Sequence, residues 1–280
     1  MTAPPAVPTV ELNDGTTIPQ LGFGTYQVPP EDTADVVGQA LEVGYRHLDT
    51  AQMYRNEDGV GRAIAASGIP RDQLYVTSKL NNSFHAPDDV HRTFDETLER
   101  LGLDHLDLFL IHWPLPGDEV DYVDTWRAMT ELVADGRLRS AGVSNFEPDH
   151  LDRIVEATGI APVVNQIEAH PYFRNDVARE ASVRHGAAVE AWGPLGQGAI
   201  LGDDRLAEIA ARNQRTVAQV ALRWALQRGD IVFPKSSSAE RMRQNLDVFD
   251  FELSADDVAA IDGLDRGADG RGGPHPDRMG

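Results

Sequence analysis

The chain has 280 residues, of which 41% are apolar, so it is long enough to bury one large core or two small ones. Its net charge of −20 at pH 7 argues against nucleic-acid binding, which needs a basic surface to displace phosphate counterions. The absence of cysteine excludes disulfides, thiolate metal sites and cysteine nucleophiles.

Neither a secretion signal nor a membrane span is predicted. The amino-terminal residues MTAPPAVPTV lack a basic start and a long apolar core. No stretch of the sequence approaches the roughly 20 consecutive apolar residues that a transmembrane helix needs. We therefore expect a cytoplasmic protein.

The first predicted element is a β-hairpin over residues 11–19, which read ELNDGTTIP. Within it, Asn13, Asp14 and Gly15 separate two short β-prone runs, and this order of residues is typical of a tight turn. We expect a small ribbon ahead of the main fold.

Eight strand-like apolar runs follow, and helical patterns separate them. Helices are predicted over Thr33–Val43, Asn56–Ala66 and Pro87–Leu101 from apolar spacing and from their start and stop residues. Two further helices, Leu206–Arg212 and Val217–Gln227, fill the longest gap, which lies before the last strand. Strands that alternate with helices predict parallel βαβ units. The eight runs end near Thr25, Asp49, Lys79, His112, Asn145, Gln166, Trp192 and Lys235.

Eight such units predict an α/β fold, the (β/α)8 TIM barrel, as a single domain over residues 1–280. Residues 1–8 and 266–280 are predicted to be flexible or loop, with the carboxy-terminal loop over the active-site face. The alternative is a doubly wound open sheet, which needs a GxGxxG turn after its first strand. Here the two glycines of GFGTYQ are followed by Gln27 in place of a third glycine, so the barrel is favoured.

Four polar residues are expected to meet at one rim of this barrel. Asp49, Lys79 and His112 end the second, third and fourth strands, and Tyr54 lies in the loop after Asp49. The aspartate and the lysine should pair, because either charge alone is costly to bury. The charge of the lysine is expected to lower the pKa of the phenol and so make it a general acid, while the imidazole orients the same oxygen. The set suits protonation of a carbonyl oxygen as hydride reaches its carbon.

A second set of polar residues could hold a cofactor. Ser144 and Asn145 end the fifth strand and Gln166 lies in the sixth, and their donors and acceptors suit a nicotinamide carboxamide. Trp192, at the end of the seventh strand, offers a flat face on which such a ring could stack. The alternative is that Asn145 caps the next helix and that Trp192 belongs to the core.

A third set, with a lysine, a serine and an arginine, follows the eighth strand. Hydroxyls and cations at a helix amino terminus form an anion site, and barrels often bind a phosphate group after strands seven and eight. The alternative is a solvated helix start in which the arginine pairs with Glu240 or Asp247. The set consists of Lys235, Ser236, Arg241, Gln244 and Asn245.

These segments resemble the signatures of the aldo-keto reductase superfamily. Residues 44–61, which begin GYRHLDTA, are similar to its first signature, and residues 142–146 (GVSNF) are similar to its second. Residues 234–245 resemble the third, and the likeness runs in order over residues 10–265. The segment 189–198 (VEAWGPLGQG) resembles the bacterial 2,5-diketo-gluconic acid reductase branch.

The resemblance implies a monomeric barrel that binds NADPH across its mouth and reduces aldehydes or ketones to alcohols. It implies Tyr54 as the proton donor, Lys79 and Asp49 as the pair that tunes it, and His112 as the group that orients the carbonyl. It also implies that the cations after the eighth strand bind the 2′-phosphate, which favours NADPH over NADH. The cofactor contacts that it implies are Thr25, Ser144, Asn145, Gln166, Trp192, Gly193, Leu195, Lys235, Ser236, Arg241, Gln244 and Asn245.

One departure from the family concerns the substrate. Shortly after the third strand many members place a tryptophan, where this chain has Asn81. We therefore predict a preference for small polar or dicarbonyl substrates over large flat aromatic ones. Tyr26, Trp113 and the tail around His275 are predicted to form other walls of the pocket.

Three other functions compete with an NADP-dependent aldo-keto reductase. A redox sensor or regulatory barrel would bind the cofactor without significant turnover, although the intact catalytic four oppose it. A metal-dependent hydrolase would need clustered ligands, but His112 alone among the histidines lies at a predicted strand end. A glycosidase could use Glu168 and Glu190, but it would leave Lys79 without a role. We expect a small carbonyl substrate and no metal, nucleic-acid or membrane partner.

Overall fold

The hairpin forms around the predicted turn, and its first strand begins two residues before the predicted start. In the computed structural model, which describes residues 7–279, β1 (Thr9–Glu11) pairs antiparallel with β2 (Thr17–Pro19) across the predicted turn. Residues 1–6 and 280, which belong to the predicted flexible ends, lie outside the described residues.

The hairpin covers the end of the barrel at which the strands begin. Ile18 is fully buried and packs in one apolar cluster with Tyr75 and Val164, which are the first residues of two barrel strands. At the turn, the Ser140 hydroxyl donates to the Asp14 carboxylate at 2.6 Å. The hairpin leaves the opposite end, where the strands finish, open for a candidate active site.

Eight strands form one parallel sheet, ordered around the barrel as they are ordered in the chain. Leu21, just before the first of them, bridges to Val232 in the last, and the Gly22 amide donates to the Val232 carbonyl at 2.8 Å. The sheet therefore closes on itself, which confirms the TIM barrel and excludes the open doubly wound sheet. The strands are β3 (Phe23–Gly24), β4 (His47–Asp49), β5 (Tyr75–Leu80), β6 (Leu106–Ile111), β7 (Leu138–Ser144), β8 (Val164–Glu168), β9 (Ala188–Trp192) and β10 (Ile231–Val232).

All five predicted helices are present, and three of them have the predicted bounds. The helix predicted from Leu206 begins two residues earlier, because the Asp203 carboxylate accepts a hydrogen bond of 3.0 Å from the Leu206 amide and so caps it. Among residues 7–279, no helix is long and apolar enough to cross a bilayer. The helices are α1 (Thr33–Val43), α2 (Glu57–Ser67), α3 (Pro87–Leu101), α4 (Tyr122–Ala134), α5 (Pro148–Thr158), α6 (Asp176–Arg184), α7 (Asp204–Asn213), α8 (Val217–Gln227), α9 (Ala239–Leu246) and α10 (Ala255–Asp262).

The barrel strands are covered on both faces. β5 and β6 are buried at every position, as expected for parallel strands between two layers. Outside the barrel, Phe109 of β6 and Trp126 of α4 belong to the apolar layer under the helices. Inside, Gln166 of β8 donates to the Asp49 carboxylate of β4 at 2.9 Å, although these strands are not neighbours. This bond crosses the interior, so the barrel is polar inside near the strand ends.

The carboxy-terminal tail lies over the active-site end of the barrel, as predicted. The amides of Gly272 and Gly273 donate to the two carboxylate oxygens of Glu168, the last residue of β8, at 2.6 and 3.0 Å. A Cβ added at Gly273 would stand 2.6 Å from the indole of Trp192, so this close approach requires glycine. The tail therefore forms one wall of the barrel mouth.

Candidate active site

Three of the four predicted catalytic residues lie in contact at the ends of β4 and β5. The Lys79 ammonium is fully buried and donates to Asp49 Oδ1 at 2.6 Å and to the Thr50 carbonyl at 2.9 Å. It also lies 3.5 Å from the hydroxyl of Tyr54, which a short 3₁₀ turn after β4 places above it. The sequence prediction that these groups meet agrees with this geometry.

The fourth residue, His112, follows β6 directly and lies against the same phenol. Its ring meets the Tyr54 ring edge to face, with 5.8 Å between the centroids. Nδ1 is buried without a hydrogen-bond partner among residues 7–279, which leaves Nε2 as the nitrogen available to a ligand. The phenol and the imidazole can therefore approach one oxygen together.

The charges of the site follow from burial and from the ion pair. Burial opposes a charge on Lys79, but the combined effect of its neighbours, of which the Asp49 carboxylate contributes most, outweighs burial and raises the lysine pKa. Burial, helped by the charge of Lys79, lowers the pKa of His112 well below its usual range. Burial raises the pKa of Tyr54, and Lys79 offsets this only in part, so the predicted lowering of the phenol pKa is wrong. At neutral pH the site therefore presents a neutral phenol and a neutral imidazole beside an ammonium.

The predicted carboxamide-binding residues lie beside this set. The Ser144 hydroxyl donates to the backbone carbonyl of Gln166 at 2.8 Å, and the side-chain amide of Asn145 donates to the backbone carbonyl of His112 at 2.9 Å. Asn145 Oδ1 accepts from the indole of Trp192 at 2.8 Å. The next helix is capped by Glu147, so the alternative role of Asn145 as its cap is wrong. Trp192 is only half-buried and thus is not a core residue.

The predicted anion site lies at the start of α9. The Ser238 hydroxyl caps this helix, and Lys235 and Arg241 are both exposed beside it. Within the part of the chain that the structure describes, neither cation has a carboxylate within 4.0 Å, since Asp247 pairs with Arg215 instead. The alternative, in which the arginine pairs with Glu240 or Asp247, is therefore not observed among residues 7–279. Gln244 and Asn245 lie on the same helix, the first half-buried and the second buried.

Residues 20–266 match the sequence pattern of the Aldo/keto reductase family. The chain belongs to this family. It is 50% identical over 269 residues to an aldo-keto reductase of Mycolicibacterium smegmatis, with 96% of this chain and 97% of that protein covered. It is 43% identical over 272 residues to a glyoxal reductase of Bacillus subtilis, with 97% of each covered. The solved structure of a mutant of Gox0644 in complex with NADPH superposes with a TM-score of 0.94, at 45% identity, over 99% of this chain and 100% of that chain. The predicted family and barrel are thus confirmed.

The remaining predicted residues of the reductase surround the mouth. Thr25 is buried, and its hydroxyl donates to the Asp49 carbonyl at 3.0 Å. The ring of Tyr26 is half exposed and lies 5.1 Å from the ring of Tyr54, while Trp113 is buried. Two further positions, both half-buried, follow β9: Gly193 and Leu195.

Asn81 stands apart from these residues. It lines a polar cavity of about 220 Å³ between α2 and α3, together with Arg55, Phe84 and Arg100. None of the four predicted catalytic residues lines that cavity, and the side-chain Oδ1 of Asn81 accepts from the backbone amide of Ser83 at 3.0 Å. The predicted role of Asn81 in the reductase pocket remains a prediction.

Sequence reasoning missed Asn56, which fixes the loops of the candidate active site. Its side-chain amide donates to the carbonyls of Thr25 and Val28 at 3.0 and 3.2 Å, and its oxygen accepts from the Thr50 hydroxyl at 2.9 Å. The residue ties the loop after β3 to the loop that carries Tyr54. Its position inside the first signature, two residues after the tyrosine, is the signal that could have identified it.

Two glutamates considered for a glycosidase have other positions in the reductase. Glu168 holds the tail, and Glu190 is fully buried inside the barrel, so the two do not flank an open cleft. Among residues 7–279, no three His, Cys, Asp or Glu side chains are placed to share a metal ion.

The burial of Glu190 makes the stability of the reductase depend on pH. Burial, together with the neighbouring Asp49 charge, raises the pKa of this carboxyl from 4.5 to about 8. As pH rises from 4.5 to about 8, Glu190 loses its proton in the unfolded chain but keeps it in the folded chain. The free energy of unfolding therefore falls over this interval. Relative to Glu190→Gln, the wild type should lose on the order of 1 kcal/mol of unfolding free energy per pH unit in this interval. Urea denaturation at several pH values measures this, and parallel curves would contradict it.

Proposed function

We propose that Tyr54 protonates the oxygen of a substrate carbonyl in an NADPH-dependent reduction of an aldehyde or ketone to an alcohol. The observation that carries the proposal is the 3.5 Å approach of the Tyr54 hydroxyl to a buried ammonium that Asp49 holds in place. The enzyme is an NADP-dependent oxidoreductase, as its sequence predicts. When bound, NADPH supplies the hydride that adds to the carbonyl carbon.

Each catalytic residue has a role that follows from its charge. Tyr54 stays protonated at rest because burial raises its pKa, so it holds the proton that the developing alkoxide needs. After the transfer, the Lys79 ammonium stabilises the phenolate that remains, and Asp49 keeps the lysine charged and in position. His112, neutral because of burial, donates an N–H to the same carbonyl oxygen and orients it.

The residues at the mouth of the barrel fit a nicotinamide dinucleotide that carries a 2′-phosphate, such as NADPH. Gln166 Oε1 accepts no hydrogen bond from any residue in 7–279 and can receive a carboxamide N–H, and the half-buried indole of Trp192 offers a face for the ring. Lys235 and Arg241, which have no carboxylate partner within the described residues, would hold the 2′-phosphate. Gox0644 has been solved with NADPH on the same fold.

The anion site gives the first test of cofactor choice. We expect Arg241→Ala to raise the KM for NADPH by about tenfold, because one charged contact to the 2′-phosphate is lost. The KM for NADH, which lacks this phosphate, should stay unchanged. Initial rates with both cofactors and one aldehyde measure the two constants.

Arg243 provides a matched control for this substitution. It lies on the same helix, is exposed, and has no carboxylate within 4.0 Å among residues 7–279. Arg243→Ala should therefore change neither KM if the effect comes from the site and not from net charge. Equal weakening of NADPH and NADH by Arg241→Ala would remove this residue from the 2′-phosphate site.

The proposed substrate class is supported by a relative and by one sequence position. We propose that the enzyme accepts small polar or dicarbonyl compounds, because a glyoxal reductase is 43% identical over 97% of this chain. The sequence also has Asn81 where many family members place a tryptophan. We expect kcat/KM for methylglyoxal to exceed that for a polycyclic aromatic ketone by at least about tenfold. NADPH absorbance in a paired-substrate assay measures the ratio. A preference for the polycyclic ketone would contradict the assignment, and absence of turnover with any carbonyl would favour a cofactor-binding sensor.

The proposal extends to the working state of the enzyme. All four catalytic residues come from one chain, so the site is complete without a second copy, and we expect a monomer in the cytoplasm. Light scattering should give a mass near 30.6 kDa, and a stable dimer would contradict the expected monomer. Cell fractionation tests the expected location in the cytoplasm.

A further inference from the structure

Glu190 is a buried carboxyl that the proposed reaction does not use. It lies in β9 with no exposed surface, and its Oε2 accepts a hydrogen bond of 2.7 Å from Gln166 Nε2. The same nitrogen donates at 2.9 Å to Asp49 Oδ2, whose other oxygen accepts from Lys79. A continuous line of polar contacts therefore runs from Glu190 through Gln166 and the ion pair to the phenol of Tyr54.

The two acceptors together fix which way the Gln166 amide points. An amide nitrogen has two N–H groups, and here each has a carboxyl oxygen below it. Because both N–H groups donate to these carboxyl oxygens, the side-chain oxygen Oε1 of Gln166 is left free to face the cofactor. A reversed amide would place Oε1 against the Asp49 carboxylate, which is acceptor-only. Asp49 thus disfavours the reversed amide, and Glu190 takes the hydrogen that Asp49 cannot.

The protonation of Glu190 agrees with this arrangement. Among residues 7–279, Lys79 is the only buried lysine or arginine, and it donates to Asp49 at 2.6 Å, so a second carboxylate would be uncompensated. The oxygen of Glu190 that faces Gln166 is then the acceptor, and the proton belongs on Oε1, which lies 4.0 Å from Nε2 of His47. That imidazole is positioned by Nδ1, which donates to the Pro19 carbonyl at 3.2 Å. The titratable groups that face Glu190 are His47 and Asp49 of β4 and Tyr75 and Lys79 of β5.

We infer that Glu190 is a positioning residue: it holds the Gln166 amide with its oxygen toward the nicotinamide carboxamide and its second N–H on the catalytic Asp49. This inference rests on the proposed role of Gln166 in cofactor binding. It predicts that Glu190 controls how well the enzyme recognises the carboxamide N–H, although Glu190 itself does not touch the cofactor.

Binding of two oxidised cofactors tests this without turnover. NADP⁺ carries a carboxamide, while its 3-acetylpyridine analogue keeps the carbonyl and lacks the N–H that Gln166 Oε1 would accept. The wild type should bind NADP⁺ about tenfold more tightly than the analogue, as measured by calorimetry. In Glu190→Met, which removes one acceptor, this preference should fall to about twofold or less, because Asp49 alone then holds the amide, which can rotate about that single hydrogen bond.

Conservative and control variants separate positioning from packing. Glu190→Gln keeps an acceptor for the Gln166 N–H and mimics a neutral carboxyl, so it should retain the wild-type preference. Thr77→Val alters another fully buried interior residue, which contacts His47 but not Gln166, and should also retain it. If Glu190→Met does not fold, Glu190→Thr can be measured in its place, because the threonine side chain is too short to reach Gln166.

The outcomes distinguish this inference from the proposed function. A wild type that binds both cofactors equally would overturn the cofactor role of Gln166 and, with it, the role of Glu190. A wild type that prefers NADP⁺, together with a removal variant that prefers it equally, would overturn the role of Glu190 alone. Loss of the preference in Thr77→Val would show a general packing effect and would also overturn the inference.

Discussion

Replacing Tyr54 with phenylalanine is expected to lower kcat about 10²- to 10⁴-fold while the dissociation constant of NADPH stays unchanged. The substitution removes one hydroxyl, and the ring can keep its packing against His112 and Tyr26. Among the described residues, Lys79 hydrogen-bonds to no other O–H group, so no second hydroxyl beside the ammonium can replace the phenol. NADPH oxidation with methylglyoxal gives kcat, and titration of the indole fluorescence gives the dissociation constant.

Tyr75 provides the matched control for this substitution. It is also a buried tyrosine, it lies at the other end of β5, and its hydroxyl has no hydrogen-bond partner within residues 7–279. Tyr75→Phe therefore removes the same atom from the barrel interior without touching the mouth, and kcat should hold. Unchanged turnover in Tyr54→Phe would show that another group protonates the carbonyl oxygen.

The meeting of the candidate catalytic residues at one rim could be predicted because it depends on strand ends. In parallel βαβ units the carboxyl ends of all strands meet, so the chain order of Asp49, Lys79 and His112 already places them side by side. The loop that carries Tyr54 is short and follows one of these strands directly. Local patterns and one rule of topology therefore suffice to predict this part of the site.

Contacts across the barrel could not be predicted in the same way. The bonds from Gln166 to Asp49 and Glu190 depend on which side chains of each strand reach the same interior layer, and this is set by how far the strands are staggered. The prediction of a lowered Tyr54 pKa was wrong for a related reason. The sequence indicates a neighbouring cation, but the extent to which surrounding loops exclude water from the phenol appears only in three dimensions.

Removal of the Lys79 ammonium is expected to have the largest effect on stability. Lys79→Met keeps most of the side-chain volume but leaves the Asp49 carboxylate buried without its cation, and breaking a buried pair in this way costs about 3–5 kcal/mol of unfolding free energy. Turnover should also fall, because no charge remains to stabilise the Tyr54 phenolate. Urea denaturation without cofactor measures the first effect, and NADPH oxidation measures the second.

A second substitution separates the two effects. In the double variant Lys79→Met with Asp49→Asn, no uncompensated charge remains, so most of the lost unfolding free energy should return. The amide at position 49 can still accept the N–H of Gln166, which preserves the contact that crosses the barrel. Turnover should stay low, since the ammonium beside Tyr54 is still missing. If the double variant regains both stability and turnover, the ion pair has only a structural role, and the tuning of the phenol must come from other groups.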